Sequence, residues 1–289
     1  SIVPIILKTS IKNSILTAEI NHFGAELCSL KDNDNKEYIW EGNPDIWGKH
    51  SPILFPIVGT LQNDTYQYND TDFHLSRHGF ARDMEFKLIE KQENNAVFSL
   101  HSCTESLKSY PFEFELQIIY TLHKNSLTIA YKVINKGKFN LPFSIGAHPA
   151  FALPNQFENY SLEFEKQESL QYYLLEDNLI SNKTKSLLLE NKKVSLDYNL
   201  FKNDALILKT LESKSVTILE NDKPFLRASF EDFPSLGIWT KINAPFLCIE
   251  PWFGYSDTTE SSGDLFKKEG IIVLEPEEIF NCQYQLTIL

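Results

Sequence analysis

Four short polar segments of this sequence each place an ionisable side chain beside an apolar, strand-like run. Residues 76–82, 146–151, 203–207 and 248–252 together supply two imidazoles, two carboxylates and guanidinium groups. An imidazole and a carboxylate that meet in a folded protein can pass protons to and from a substrate near neutral pH. In the second segment, Pro149 biases the preceding histidine toward an extended backbone and prevents a helix there.

β-strands must position these groups, because the hydrophobic pattern alternates with period two along most of the chain. Residues 112–120 and 126–134 alternate clearly, and the intervening turn residues predict a hairpin. Other strand-like runs lie at 14–20, 96–100, 160–164, 205–208, 215–219, 236–240 and 246–250. A helical pattern is limited to residues 261–269. Many short strands with frequent turns predict an all-β fold, a large antiparallel β-sandwich that spans residues 1–289 as one domain.

Composition and charge exclude several classes of function. The formal net charge of −12 argues against a nucleic-acid partner, which requires basic clusters. No uncharged apolar run reaches 18 residues, so no membrane span is expected, and residues 1–8 lack the pattern of a secretory signal. The cysteines show no metal-binding spacing and lie in strand-like segments, which favours buried free thiols and a cytoplasmic location: Cys28, Cys103, Cys248 and Cys282.

Taken in order, the polar motifs resemble those of the aldose 1-epimerase, or galactose mutarotase, family, and within it the LacX-like branch. They are His-Gly-Phe-Ala-Arg at 78–82, Gly-Ala-His-Pro-Ala-Phe at 146–151, Asn-Asp-Ala-Leu-Ile at 203–207, Gly-Ile-Trp-Thr-Lys at 237–241 and Cys-Ile-Glu-Pro-Trp at 248–252. The similarity runs from about residue 21 to the C-terminus. It implies a β-supersandwich and an isomerase that interconverts the α and β anomers of a free or phosphorylated aldose, without a cofactor or a metal. We expect a monomer or a homodimer.

Opening a sugar hemiacetal needs a base for the anomeric hydroxyl and an acid for the ring oxygen. Glu250 ends an apolar strand and is the candidate base, because apolar surroundings would raise its pKa toward a useful value. His148 is the candidate acid, and a nearby carboxylate would help to keep it cationic.

The resemblance also implies sugar-binding roles. His78 would hydrogen-bond the ring oxygen or a nearby hydroxyl, and Asp204 would accept hydrogen bonds from sugar hydroxyls. The guanidinium of Arg82, with Arg77 as a second candidate, suits vicinal hydroxyls or a phosphate.

Tryptophan rings stack on the apolar face of a pyranose. Trp239 and Trp252 flank Glu250 in the sequence and are the candidate stacking residues, whereas Trp40 and Trp47 are assigned to core packing. We expect Glu250, His148, His78 and Asp204 to converge on one open cleft across a concave sheet face.

The substrate class stays open. Family members often carry an arginine just after the glycine of the segment 55–59, and this chain has Thr60 there, which weakens the case for tight phosphate binding. A hexose-6-phosphate 1-epimerase and a non-catalytic carbohydrate-binding or sugar-sensing protein are the alternatives. A glycosidase could use two carboxylates, but the two histidines would then have no role.

Overall fold

The structure, a computed structural model that describes residues 5–289, is built mainly of β-strands. The helix among these residues is α1 (Thr104–Ser109). The strands are β1 (Lys8–Lys12), β2 (Leu16–Asn21), β3 (Glu26–Asp32), β4 (Thr65–Tyr68), β5 (Thr71–His74), β6 (Lys87–Lys91), β7 (Asn95–His101), β8 (Phe114–His123), β9 (Ser126–Asn135), β10 (Leu141–Phe143), β11 (Ile145–Gly146), β12 (Ala150–Ala152), β13 (Tyr160–Phe164), β14 (Leu170–Glu176), β15 (Leu179–Leu187), β16 (Lys193–Ser195), β17 (Leu206–Leu208), β18 (Ser215–Glu220), β19 (Lys223–Ser229), β20 (Ser235–Trp239), β21 (Phe246–Phe253), β22 (Ile272–Leu274) and β23 (Ile279–Ile288).

The largest sheet has nine antiparallel strands in the order β16-β13-β18-β19-β23-β9-β8-β7-β6. The predicted hairpin is confirmed: β8 and β9 pair from Phe114↔Asn135 to His123↔Ser126 around a two-residue turn. Buried and partly exposed side chains alternate along β9, because successive side chains of a strand point to opposite faces.

A second sheet follows the order β11-β21-β20-β17, and β12 also pairs with β21. On β21, Leu247 and Ile249 point into the main hydrophobic core, which also contains Phe114 and Leu116 of the nine-stranded sheet. The two sheets therefore form the predicted antiparallel β-sandwich. Residues 248, 250 and 252 point to the opposite face of β21.

Smaller sheets and loops complete the fold. Strands β1, β2 and β3 form a three-stranded sheet, and the two-stranded sheets are β4-β5, β10-β22 and β14-β15. The predicted strands all form, with boundaries within three residues of the expected positions. Residues 1–4, which belong to the N-terminal segment considered above, lie outside the described residues.

The helix prediction is wrong. Residues 261–269 contain only a single 3-10 turn, Leu265–Lys267, which begins where the Asp264 carboxylate accepts the backbone N–H of Phe266 at 3.0 Å. Gly263, within this stretch, and Gly270, just after it, have positive φ and favour turns over a continuous helix. The helix that does form, α1, is six residues long and begins with Cys103 N–H donating to the Ser106 hydroxyl at 2.9 Å.

The four cysteines are free, and three of them are buried in strands as expected. Cys103 is the exception, because it is exposed at the start of α1 and does not lie in a strand. Across residues 5–289, no helix combines the length and the apolar character needed to cross a membrane.

Candidate active site

Glu250 and His148 face each other across a gap between two strand pairings. Strand β11 pairs with β21 at Gly146↔Trp252, and β12 pairs with the same strand at Ala150↔Cys248. Continuing either register places residue 148 opposite residue 250. The ladder is interrupted there because Pro149 has no N–H to donate. His148 Nε2 lies 3.2 Å from Glu250 Oε1, and both side chains are buried.

Burial controls the protonation of this pair. It raises the pKa of Glu250 well above the ordinary value, and the negative charge of Asp204 raises it further. Burial also lowers the pKa of His148 to about 3, and the positive charges of Arg82 and Arg77 act in the same direction. The raised pKa of Glu250 agrees with the sequence-based expectation. The lowered pKa of His148 runs counter to the cationic histidine expected from the sequence, because burial disfavours the charged ring.

His78 is held beside this pair by the backbone of Gly59. The backbone N–H of His78 donates to Gly59 O at 2.9 Å. In return, the backbone N–H of Gly59 donates to the ring atom Nδ1 of His78, also at 2.9 Å. A backbone N–H can only donate, so Nδ1 is an acceptor and the ring proton sits on Nε2. Burial keeps the pKa of His78 well below its usual range, so this ring is a neutral donor. Its centroid lies 5.6 Å from that of His148.

The tight turn at Gly59 allows these two hydrogen bonds with His78 to form. Gly59 has φ +76°, and a Cβ there would lie 2.0 Å from Ser256 Oγ. The same hydroxyl accepts the backbone N–H of Thr60 at 2.9 Å. A larger residue at position 59 would therefore push the Gly59 loop, which holds His78, away from the Ser256 loop.

Trp252 lies on the same face of β21 as Glu250, two residues further along. A Cβ at Gly146 would lie 2.6 Å from Trp252 Cδ1, and one at Gly237 would lie 2.5 Å from Trp252 Cζ2. Gly146 and Gly237 belong to the two strands that flank β21, so both neighbours leave room for the indole. This explains the glycines in two of the motifs noted in the sequence.

Asp204 enters the site from the turn before β17. Its backbone has φ +85°, which is unusual for a residue other than glycine, and its Oδ1 accepts the N–H of Ala205 at 2.7 Å. Strand β17 is separated from β21 by β20 alone. The turn therefore brings a second carboxylate to the same face of the sheet as Glu250.

All these side chains line one open cavity of about 560 Å³, within the usual size range of small-molecule sites. The structure brings together every residue that the sequence singled out: Glu250, His148, His78, Asp204, Arg82, Arg77, Trp239 and Trp252. Their roles in binding and catalysis stay predictions.

We compared the sequence and the fold of this chain with those of known proteins. The model of the aldose 1-epimerase family matches residues 8–272. The chain belongs to the aldose 1-epimerase family. Chromosomal protein LacX of Lactococcus lactis subsp. lactis is 38% identical over 294 aligned positions, covering 96% of this chain and 98% of that protein.

Solved structures lead to the same family. A galactose mutarotase related enzyme from Lactobacillus acidophilus superposes with a TM-score of 0.94 and 32% identity, covering 98% of this chain and 97% of that one. A galactose mutarotase-like protein from Lactobacillus casei gives a TM-score of 0.93 and 30% identity, covering 98% and 100%. The protein is thus an epimerase of the isomerase class, with a mutarotase-type function.

Several lining residues of this epimerase were not foreseen. Trp47, assigned to the core from the sequence, lines the cavity and stacks on His148, whereas Trp40 is buried against Phe246 as expected. Lys241, Ser256 and Asn178 also contribute to the wall. Lys241 ends the Gly-Ile-Trp-Thr-Lys motif and could have been found from it. Trp47 lies in a long irregular loop, and no local pattern marks it.

Two of the three cationic side chains that line the cavity already contact groups of the protein. Arg82 Nη2 donates to the backbone carbonyl of Arg77 at 3.1 Å, and Arg82 Nε lies 4.0 Å from Asp83. Lys241 Nζ donates to Ile46 O at 2.5 Å. Arg77 itself is exposed, and so it is the cation most accessible to an incoming anion.

Proposed function

We propose that this epimerase interconverts the α and β anomers of an aldohexose by opening the pyranose ring and closing it on the other face. The observation that carries the proposal is the Glu250–His148 contact of 3.2 Å in the wall of the cavity. Such a buried pair holds one proton and can place it on either partner, which is what an exchange of acid and base roles requires.

The reaction begins when the shared proton moves from Glu250 to His148. The Glu250 carboxylate then accepts the proton of the anomeric hydroxyl, and the O–H electron pair forms the aldehyde C=O. The bond between C1 and the ring oxygen breaks, and that oxygen takes the proton of His148. Rotation about the C1–C2 bond presents the other face of the aldehyde. Ring closure then runs the same transfers in reverse.

The surrounding groups fit this chemistry. His78 can donate its Nε2–H to the ring oxygen of the sugar or to a nearby hydroxyl, because its Nδ1 accepts the backbone N–H of Gly59. Asp204 accepts hydrogen bonds from sugar hydroxyls, and its charge strengthens them. Trp239 and Trp252 provide aromatic faces for the apolar side of the ring.

Glu250→Gln tests the proposal, because the amide keeps the shape and loses the base. General base catalysis contributes on the order of 10²–10⁴-fold, so mutarotation of freshly dissolved α-glucose or α-galactose, followed by polarimetry, should slow by at least that much. Sugar binding, followed by calorimetry, should remain measurable. The matched control is Glu260→Gln, which alters an exposed glutamate and should keep the wild-type rate. Equal rates for wild type and Glu250→Gln would remove Glu250 from the mechanism.

A second candidate substrate is a sugar phosphate. Three cations, Arg77, Arg82 and Lys241, line the same cavity as two carboxylates. Against this, Thr60 stands where relatives often carry arginine, and the chain as a whole is acidic, which repels a dianion. We therefore place the neutral aldohexose first. The free thiols of the chain fit a reducing compartment, and we propose a cytoplasmic location.

A further inference from the structure

Cys248 lies beside the catalytic pair, and the proposed mechanism gives it no role. It precedes Glu250 by two residues on β21, so both side chains point to the same face of the sheet. The donor atoms of Cys248, Glu250 and His148 all lie within 4.8 Å of one another. All three side chains are buried, with relative exposures of 0%, 1% and 7%.

These three donors nearly match the geometry of a metal site. With metal–ligand bonds of about 2.0–2.3 Å, the edges of a tetrahedral zinc site are about 3.3–3.8 Å long. The Nε2–Oε1 distance of 3.2 Å is already close to one such edge. Cys248 Sγ lies within 4.8 Å of both atoms, so each of the other two edges requires a closure of at most about 1 Å. No hydrogen bond to Nδ1 fixes the orientation of the histidine ring, because within residues 5–289 this atom has no partner.

The charges also balance. A divalent cation bound by one thiolate, one carboxylate and one neutral imidazole forms an assembly with no net charge, which a buried position tolerates. Binding releases the thiol proton and the proton shared by Glu250 and His148 to solvent. Thiolate selects soft ions such as Zn²⁺ over Mg²⁺ and Ca²⁺. His148 and Glu250 line the open cavity, so water can reach the fourth position from that side.

We propose that Cys248, His148 and Glu250 form a binding site for a thiophilic divalent cation of the Zn²⁺ class, and that its occupation silences the enzyme. The metal would engage both the base and the acid, so neither could transfer a proton to the sugar. Motif spacing could not reveal the site, because His148 is 100 positions away from Cys248 in the sequence.

Binding is tested first, without sugar, so that the outcome does not depend on the proposed function. The exposed thiol is removed with Cys103→Ser, and Co²⁺ is used as a spectroscopic probe of thiolate ligation. The Cys103→Ser protein should bind a single Co²⁺ with a thiolate charge-transfer band in the near ultraviolet, and Zn²⁺ should displace it. Adding Cys248→Ala should abolish the band and weaken Zn²⁺ binding at least about 100-fold in calorimetry, because even indirect partners of a metal change affinity by 10- to 100-fold.

Activity is measured next on the same two proteins. Zn²⁺ should inhibit mutarotation by the Cys103→Ser protein, a chelator should restore it, and Mg²⁺ should have no effect. The protein that also carries Cys248→Ala should keep its rate without metal and resist Zn²⁺. Cys248→Ser, which retains nearly the same volume, serves as the second variant and should also lack the charge-transfer band. Absence of the band in the Cys103→Ser protein, or equal Zn²⁺ inhibition with and without Cys248, would overturn the proposal. If the metal-free Cys103→Ser protein did not catalyse mutarotation at all, that result would instead count against the proposed function.

Discussion

The indole of Trp47 stacks on the imidazole of His148, with ring centroids 5.1 Å apart and an interplanar angle of 29°. Trp239 packs edge-on against both rings, at 5.4 Å from Trp47 and 5.7 Å from His148. An aromatic face stabilises a cation more than a neutral ring, so Trp47 favours the imidazolium that the proposed reaction requires. This contact offsets part of the burial that lowers the pKa of His148.

Replacing Trp47 with leucine should therefore slow the chemical step. The loss of a cation–π contact of about 0.5–2 kcal/mol corresponds to a decrease in kcat of about 2- to 30-fold. Trp47→Phe keeps an aromatic face and should retain most of the rate. Polarimetry over a range of sugar concentrations separates kcat from KM. A rise in KM with unchanged kcat would mean that Trp47 binds the sugar and does not act on His148.

A second prediction concerns the substrate class. Because Arg82 is already bound to the Arg77 carbonyl, one residue before His78, it supports the loop that carries this histidine. We expect Arg82→Ala to slow the mutarotation of glucose, galactose and glucose 6-phosphate to a similar extent. We expect the wild type to turn over the neutral sugars at least as well as the phosphate. Mutarotation rate constants at low salt provide the comparison. A strong preference for the phosphate that Arg82→Ala removes selectively would establish the sugar-phosphate alternative.

The buried ion pair of Lys268 and Asp257, 2.8 Å apart, holds the loops behind the site together. Asp257 N–H donates to Thr60 O, and Asp257 Oδ2 accepts the N–H of Gln62. Lys268→Met would leave the carboxylate buried without its cation, so the free energy of unfolding should fall by about 3–5 kcal/mol in urea denaturation.

The double variant Lys268→Met/Asp257→Asn is the control for this pair. It removes both charges and keeps an oxygen for Gln62, so it should be more stable than Lys268→Met alone. If the single variant were as stable as the wild type, the pair would contribute nothing to holding these loops.

Cys103 should be the reactive thiol of the native protein. It is exposed, and the backbone N–H of Ser106 at the start of α1 lowers its pKa. Burial raises the pKa of Cys28 to about 12 and shields the thiols of Cys248 and Cys282. A thiol reagent such as DTNB should therefore react rapidly with a single thiol, and Cys103→Ser should remove this fast phase.

The pH dependence of this reaction has a defined sign. Thiolate is the reactive form, so the rate rises as pH increases through the thiol pKa. Since the pKa of Cys103 is lowered in the folded state, the midpoint should lie at a lower pH in the native protein than in the urea-unfolded chain. A native midpoint at or above the unfolded one would contradict the helix-start geometry.

The sequence alone predicted many of the strands, including β8, β9 and β21, and the alternation of their side chains between two faces, because alternation is a local property with a period of two. It was enough to place Glu250 on one face of the predicted strand and Leu247 and Ile249 on the other, whereas the structure extends that strand to Phe253 and so adds Trp252 to the Glu250 face. It failed at residues 261–269, where turn glycines and the Asp264 cap overrode a weak helical pattern. The order of the polar motifs identified eight of the residues that line the cavity, but neither the remaining ones nor the distances between them.

Only the tertiary structure decided which residues meet. The placement of His148 opposite Glu250 depends on the registers of two short strands with β21, about one hundred positions away in the chain. The position of Trp47 over His148 depends on the path of an irregular loop, and the exposure of Cys103 depends on a helix of six residues. Long-range pairing and loop paths are set by the packing of the whole core, so no local pattern contains them.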